Sequence, residues 1–314
     1  MPKRPRCLLA RVAILSSAAL LLAGCAAGLP SGGAVAAGTY SQSVDTGVSR
    51  HFLVHVPEGY DPGRPLPLVI AVHGAFDSAE QLEQVTGLSA LADRAGFVVA
   101  YPNGLGLLGF LRHWNAGFCC AKAKHDGWDD TGFLLKLIDD LSGRLAIDRD
   151  RVALVGFSNG GMLAYRFAAE HPGRIAALAV AGAAIGGQES EEPAMATIPD
   201  PMGPLPVLIM HARDDDSIPF AGGPSPRHPE ISYLGPVDAA ALFVRVNRCA
   251  GEPERRELPG HEIRRWGGCA AGSEVVFAVN DSGGHAWPRR RADRGGFEAT
   301  ELVADFLGRW LADR

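Results

Sequence analysis

Apolar residues recur along this chain with two spacings, one of two residues and one near 3.6. Residues 50–56 alternate and stop at Pro57, so they read as an early strand. Residues 66–72 are an unbroken apolar and β-branched run, as expected of a strand covered on both faces. Residues 78–94 switch to helical spacing, with Leu82, Val85, Leu88 and Leu91 on one side. Residues 96–101 form the next short strand. The helical period returns over 129–147 through Phe133, Leu134, Leu137, Ile138 and Leu141. Strand 151–156, helix 160–171, strand 175–183 and strand 205–211 follow. Helix 236–246, strand 274–279 and helix 297–311 complete the series. Strands alternating with helices of this length predict an α/β domain, a mostly parallel sheet with helices on both faces. Three stretches carry no period: 102–128, 186–204 and 221–236. Loops that long in a compact domain tend to be functional.

The first residues depart from this pattern. Lys3, Arg4, Arg6 and Arg11 precede an apolar stretch over 12–23 that is too short to be read as a membrane span. It reads as an export signal over 1–24. Leu22-Ala23-Gly24-Cys25 resembles a bacterial lipobox, which implies cleavage before Cys25 and lipid on its thiol. Plain cleavage near Ala34 to Ala37, releasing a soluble protein, is the alternative. Residues 25–45, rich in Gly, Ala and Ser, read as a flexible tether, and 46–314 as one catalytic domain.

Charge narrows the partners. With 30 basic and 35 acidic side chains the formal net charge is -5, which gives no electrostatic case for nucleic acid. Membrane contact is expected only through the N-terminal lipid. The arginine runs at 255–256, 264–265 and 289–291 read as solvated loops. Export also changes the cysteines. Cys7 leaves with the signal and Cys25 carries lipid. Cys119, Cys120, Cys249 and Cys269 remain in an oxidising compartment. Cys249–Cys269 is the favoured pair and closes a short charged loop. Cys119 and Cys120 form either a vicinal disulfide or two separate bonds. No paired C-x-x-C spacing points to zinc, and His51 with His55 finds no third ligand, so neither metal nor cofactor is expected.

The sharpest chemical signal is Gly156-Phe157-Ser158-Asn159-Gly160-Gly161, a G-x-S-x-G motif between a strand and a helix. The glycines permit a sharp turn that exposes Ser158 as a nucleophile beside the amides of the following helix. A serine hydroxyl needs a neighbouring base. With this motif the chain order is serine, acid, histidine. His285 follows strand 274–279 and the turn Asp281-Ser282-Gly283-Gly284, where that base belongs. His228, flanked by prolines, and His261, in the charged loop, fit less well. The acid should follow strand 205–211, where Asp214, Asp215 and Asp216 stand together. Asp215 is preferred and the other two stay open. An oxyanion hole needs two convergent amides. Asn159 supplies one, and Ala75, in His73-Gly74-Ala75-Phe76, the other, with Phe76 second. His73 reads as structural, and His171 and His211 as buried hydrogen-bonding groups.

These pieces resemble the secreted polyhydroxybutyrate depolymerase and feruloyl esterase-like α/β-hydrolases, which include bacterial lipoproteins. The resemblance rests on Val72-His73-Gly74, Tyr101-Pro102-Asn103-Gly104, Trp114-Asn115 with Cys119-Cys120, and Asp129-Asp130-Thr131-Gly132-Phe133. It continues through the serine motif and the stretch 211–220 to Gly283-Gly284-His285-Ala286-Trp287-Pro288. It implies an α/β-hydrolase fold, hydrolysis of a polyester or a plant-wall polysaccharide ester, and a triad of Ser158, Asp215 and His285. The family's acid stretch reads H-G-x-x-D-x-x-V-P. Here Ala212 replaces the glycine and two further aspartates flank the acid. Trp114, Trp287 and Phe110 are expected as aromatic walls of the substrate cleft. A serine peptidase on the same fold, or a binding module with a lost triad, are the rival readings.

Overall fold

The computed structural model describes residues 28–29, 35–189 and 194–312. In chain order the strands are β1 (Gly38–Asp45), β2 (Ser49–Val56), β3 (Leu66–Val72), β4 (Val98–Pro102), β5 (Ile147–Phe157), β6 (Ala177–Ala181) and β7 (Gly186–Glu189). They continue with β8 (Ala196–Thr197), β9 (Val207–Ala212), β10 (Gly223–Pro224), β11 (Ile231–Tyr233), β12 (Glu254–Leu258), β13 (His261–Trp266) and β14 (Val275–Asn280). The helices are α1 (Ala79–Thr86), α2 (Leu88–Ala95), α3 (Ala121–His125), α4 (Asp130–Arg144), α5 (Asn159–Glu170), α6 (Pro236–Val246) and α7 (Ala299–Trp310).

Ten strands make one sheet in the order β1-β2-β4-β3-β5-β6-β9-β14-β13-β12. The central six, β4 to β14, are parallel, and two antiparallel strands flank them on each side. Alternate residues of the central strands feed two cores. Leu68, Ile70, Val152 and Leu154 join α4, α5 and α6 on one face. Val69, Ala71, Ala153 and Val155 join α1, α2 and α7 on the other. Cover on both faces explains the unbroken apolar runs. Each buried Val- or Leu-sized side chain contributes about 1.5–3 kcal/mol. The fold is an α/β-hydrolase fold, as the strand and helix pattern and the resemblance imply.

Several elements differ from the sequence reading. The helix expected over 78–94 is two helices. Gly87 adopts φ 62° and its N–H caps Glu83 O, which ends α1. The helix over 129–147 stops at Arg144, because Ile147 is already paired with Leu66 of β3. Residues 38–45, assigned to the tether, form edge strand β1, in register with β2 from Gly38↔Val56 to Asp45↔Ser49. The charged loop over 250–268 is a hairpin, β12 against β13, so the arginines at 255–256 and 264–265 lie on strands. Edge strand β12 reads Glu-Arg-Arg-Glu-Leu and is exposed throughout, which discourages pairing with another chain. The region 186–235, read mostly as loop, contains a small sheet in the order β10-β11-β7-β8.

Cys249 is bonded to Cys269, tying the end of α6 to the segment before β14. Cys119 is bonded to Cys120, the vicinal alternative. Residues 1–24, expected to be an export signal, and Cys25 lie outside the described residues. Among the described residues no helix is long and apolar enough to cross a membrane.

Candidate active site

Strand β5 delivers Ser158 to a turn that only this local sequence accommodates. Ser158 holds φ 52° and ψ −125°, a conformation that costs a non-glycine residue about 1–3 kcal/mol. Backbone bonds pin it on both sides: its N–H donates to Ala181 O at 2.9 Å, and its carbonyl accepts from Met162 N at 3.0 Å. Close packing requires the neighbouring glycines. A Cβ on Gly156 would lie 2.6 Å from Gly161 Cα, and one on Gly161 would lie 2.6 Å from Val180 Cγ1. A Cβ on Gly160 would strike the Val72 and His73 carbonyl oxygens. Strand β5, α5 and the end of β3 are thereby pressed together, with the serine at the carboxyl edge of the sheet.

The loop after β14 brings His285 over this turn. His285 Nε2 lies 2.8 Å from Ser158 Oγ. Its Nδ1 lies 2.8 Å and 3.1 Å from the two oxygens of Asp215. With Nδ1–H donating to the carboxylate, Nε2 keeps a lone pair for the serine proton. Asp215 is 6% exposed, and its Oδ1 also accepts the N–H groups of Ser217 at 2.9 Å and Ile218 at 2.8 Å. Burial pushes its pKa up. The hydrogen bond and charge of His285, the charge of His211 and the Ile218 amide outweigh burial, so the pKa falls below the ordinary value.

Geometry separates the three aspartates. Asp214 accepts the Gly284 N–H at 2.8 Å, holding the His285 loop from outside. Asp216 pairs with Arg227 at 2.8 Å on the surface. Neither carboxylate is a partner of the imidazole. His261, the first residue of β13, packs its ring against Phe297 and is not among the residues lining the cleft at Ser158. His228 sits at the cleft wall beside Glu230.

Ala75 and Asn159 line one cleft with Ser158. Phe76 N–H, the second candidate, is committed to Arg112 O at 2.8 Å. His73 braces this loop from below. It accepts the Gly104 N–H on Nε2 at 3.0 Å, so its Nδ1–H donates to Gly74 O at 2.6 Å. Burial lowers its pKa to about 3, and the ring is neutral in the fold. His211, whose Nε2–H donates to Ile218 O at 2.9 Å, is likewise lowered by burial. Stability therefore depends on pH. The unfolded chain binds a proton at His73 below about pH 6.5 while the folded chain does not. The contribution is intact above that pH and is lost progressively as the pH falls toward 3. At pH 5 His73 alone costs about 2 kcal/mol. Asp77 and Asp130, raised by burial, act in the opposite sense. Thermal midpoints should fall between pH 7 and pH 5, and midpoints that rise would contradict a buried neutral His73.

The cleft at Ser158 has a volume of about 510 Å³. Phe76, Met162, Ile218 and Ile231 supply apolar wall, and Tyr233, Glu189 and Glu230 the polar far side. A groove of about 700 Å³, lined by Asp148, Arg151 and Trp310, lies at the amino ends of the strands. That end is opposite Ser158, whereas ligands of open α/β sheets bind beyond the carboxyl ends. The expected aromatic walls are corrected. Trp114 is 0% exposed and stacks on Phe133. Trp287 is 4% exposed, meets Phe157 edge-on and donates its N–H to Thr300 Oγ1. Each indole buries its ring and satisfies its N–H inside the protein, so neither faces substrate. Phe110 is exposed on the surface and is not among the cleft residues. Phe76, 60% exposed at φ 63°, takes the place assigned to them. Cys120 also reaches the cleft. Among the described residues no group of three or more His, Cys, Asp or Glu is placed to hold a metal ion.

Residues 51–225 match the Esterase PHB depolymerase family. NocK of Nocardia uniformis subsp. tsuyamanensis, which carries an esterase name, is 34% identical over 80% of this chain and 74% of its own length. Feruloyl esterase B of Piromyces equi is 27% identical over 76% of this chain, which spans only 42% of that protein. The structure of an acetyl xylan esterase from Aspergillus awamori superposes with a TM-score of 0.58 at 14% identity, covering 85% of this chain and 98% of that one. At that identity the likeness speaks for the fold alone. The matched stretch runs from β2 to β10, through the turn that presents Ser158. The chain belongs to the Esterase PHB depolymerase family and is a carboxylic ester hydrolase.

Proposed function

We propose that ester cleavage proceeds through an acyl-enzyme on Ser158. The observation that carries this reading is the unbroken chain from Ser158 Oγ through His285 to Asp215, with 2.8 Å at each link. His285 Nε2 takes the serine proton as Oγ attacks the ester carbonyl. The amides of Ala75 and Asn159 receive the developing oxyanion, where preorganised donors act most strongly. His285 then protonates the departing alcohol. Water repeats the sequence on the acyl-enzyme, releases the acid and restores Ser158. Asp215 holds the imidazole tautomer throughout.

The cleft supports a reading of the substrate class. Its volume suits a short acyl chain or one aromatic ring, and its walls join apolar and hydroxyl-bonding groups. Together with the feruloyl and acetyl xylan esterase relatives, this supports a polyester or a plant-wall polysaccharide ester as natural substrate. The basic and apolar leader with Leu22-Ala23-Gly24-Cys25 supports export, lipidation of Cys25 and a place at the bacterial cell envelope. The test is turnover of p-nitrophenyl acetate, p-nitrophenyl butyrate, methyl ferulate and a hydroxybutyrate oligomer by the purified protein. Turnover is expected, and the ratio of ferulate to hydroxybutyrate cleavage separates the two substrate classes. No turnover of any ester would overturn the reading.

A further inference from the structure

The two amides assigned to the oxyanion stand on different elements, Ala75 after β3 and Asn159 at the start of α5. Productive geometry tolerates an error of only about 0.5 Å, so their spacing has to be held. Trp114 touches both arms. Its backbone N–H donates to Asn159 Oδ1 at 2.7 Å, and its carbonyl accepts from Asn159 Nδ2 at 3.0 Å. Its indole N–H donates to His73 O at 2.9 Å, two residues before Ala75. The next residue is anchored from behind. Asn115 N–H donates to Asp130 Oδ2 at 2.7 Å, and Asp130 Oδ1 accepts from Arg50 Nη2 at 2.7 Å. The Arg50 guanidinium lies 4.0 Å from the centre of the Phe133 ring. Trp114, Asp130, Arg50 and Asn159 are all buried. A buried ion pair adds little to stability over an apolar filling, so its role here is better sought in position than in energy.

We propose that Trp114 is a positioning residue that fixes the distance between the two oxyanion amides, with the Arg50–Asp130 pair holding it through Asn115. The inference rests on the acyl-enzyme reading above. Trp114→Phe removes the indole N–H and keeps an aromatic ring against His73 and Phe133. Asn159→Ala removes the clamp on the Trp114 backbone and keeps the Asn159 N–H itself. Neither touches His285 or Asp215.

The experiment measures kcat and KM for p-nitrophenyl butyrate and Ki for butylboronic acid, in the full protein and both variants. The boronic acid adds to Ser158 Oγ and gives a tetrahedral adduct with an oxygen in the oxyanion position. A misplacement near 1 Å costs about a hundredfold, so kcat should fall by about ten- to a hundredfold in each variant. KM should change by less than about threefold, and Ki should rise in step with the loss in kcat. The double variant should lose little more than the worse single one, because the two changes cut one link. The pH midpoint of kcat should not move. Wild-type kcat in both folded variants would overturn the proposal, as would a loss of kcat with Ki unchanged. Should Trp114→Phe fail to fold, Asn159→Ala carries the same test. A wild-type protein inert toward every ester would remove the acyl-enzyme reading and this inference together.

Discussion

Replacing Ser158 with alanine should lower kcat on p-nitrophenyl butyrate by about six orders of magnitude, the loss seen when a triad serine is removed. The size follows from what Oγ does. On the acyl-enzyme reading it forms the bond to the acyl carbon, and among the described residues no second hydroxyl is a hydrogen-bond partner of His285 Nε2. Stability should change little. The Ser158 side chain makes no capping bond to α5, and its turn is held by backbone bonds to Ala181 and Met162. The check is kcat beside a thermal melt of both proteins. A variant that melts like wild type and still turns over the ester within tenfold would remove Ser158 from the chemistry.

Asp215→Asn should cost about four orders of magnitude in kcat, by a different route. Asp215 Oδ1 accepts two backbone amides, from Ser217 and Ile218, and only an oxygen serves there. The new amide nitrogen must therefore face His285 Nδ1. That nitrogen then becomes an acceptor and the imidazole proton moves to Nε2. A protonated Nε2 facing Ser158 cannot take the serine proton. Asp214→Asn and Asp216→Asn leave Nδ1 with its carboxylate and should stay close to wild type. A kcat series over the three variants decides the matter. A large loss at Asp214 or Asp216, with Asp215→Asn active, would reassign the acid.

The sequence exposed the centre of this molecule better than its rim. The parallel strands are apolar on both faces, so runs such as 66–72 stand out. The pairing of Ser158 with His285 is legible because the motif and the late histidine loop each follow a recognisable strand. The sequence supports only a preference among the three adjacent aspartates, since neighbours in sequence share composition and differ only in where the turn points them. The β12–β13 hairpin is hidden in the sequence because an exposed edge strand of charged residues has no apolar period. Strands β7, β8, β10 and β11 have two to four residues each, too few for any period, yet β7 and β11 carry part of the cleft wall. The place of the tryptophans is hidden for a related reason. Composition of an irregular loop says that a ring must find cover, and not whether cover is substrate or core. Trp114 finds it in the core, between His73 and Phe133.

The central claim is that Ser158 forms the covalent intermediate. The most direct measurement is intact and peptide mass after reaction with an alkyl fluorophosphonate, which phosphonylates an activated serine and releases fluoride. One adduct per chain, confined to the peptide containing Ser158 and absent in His285→Ala, is the predicted result. Label on a different residue, or ester turnover that persists with Ser158 fully phosphonylated, would contradict it.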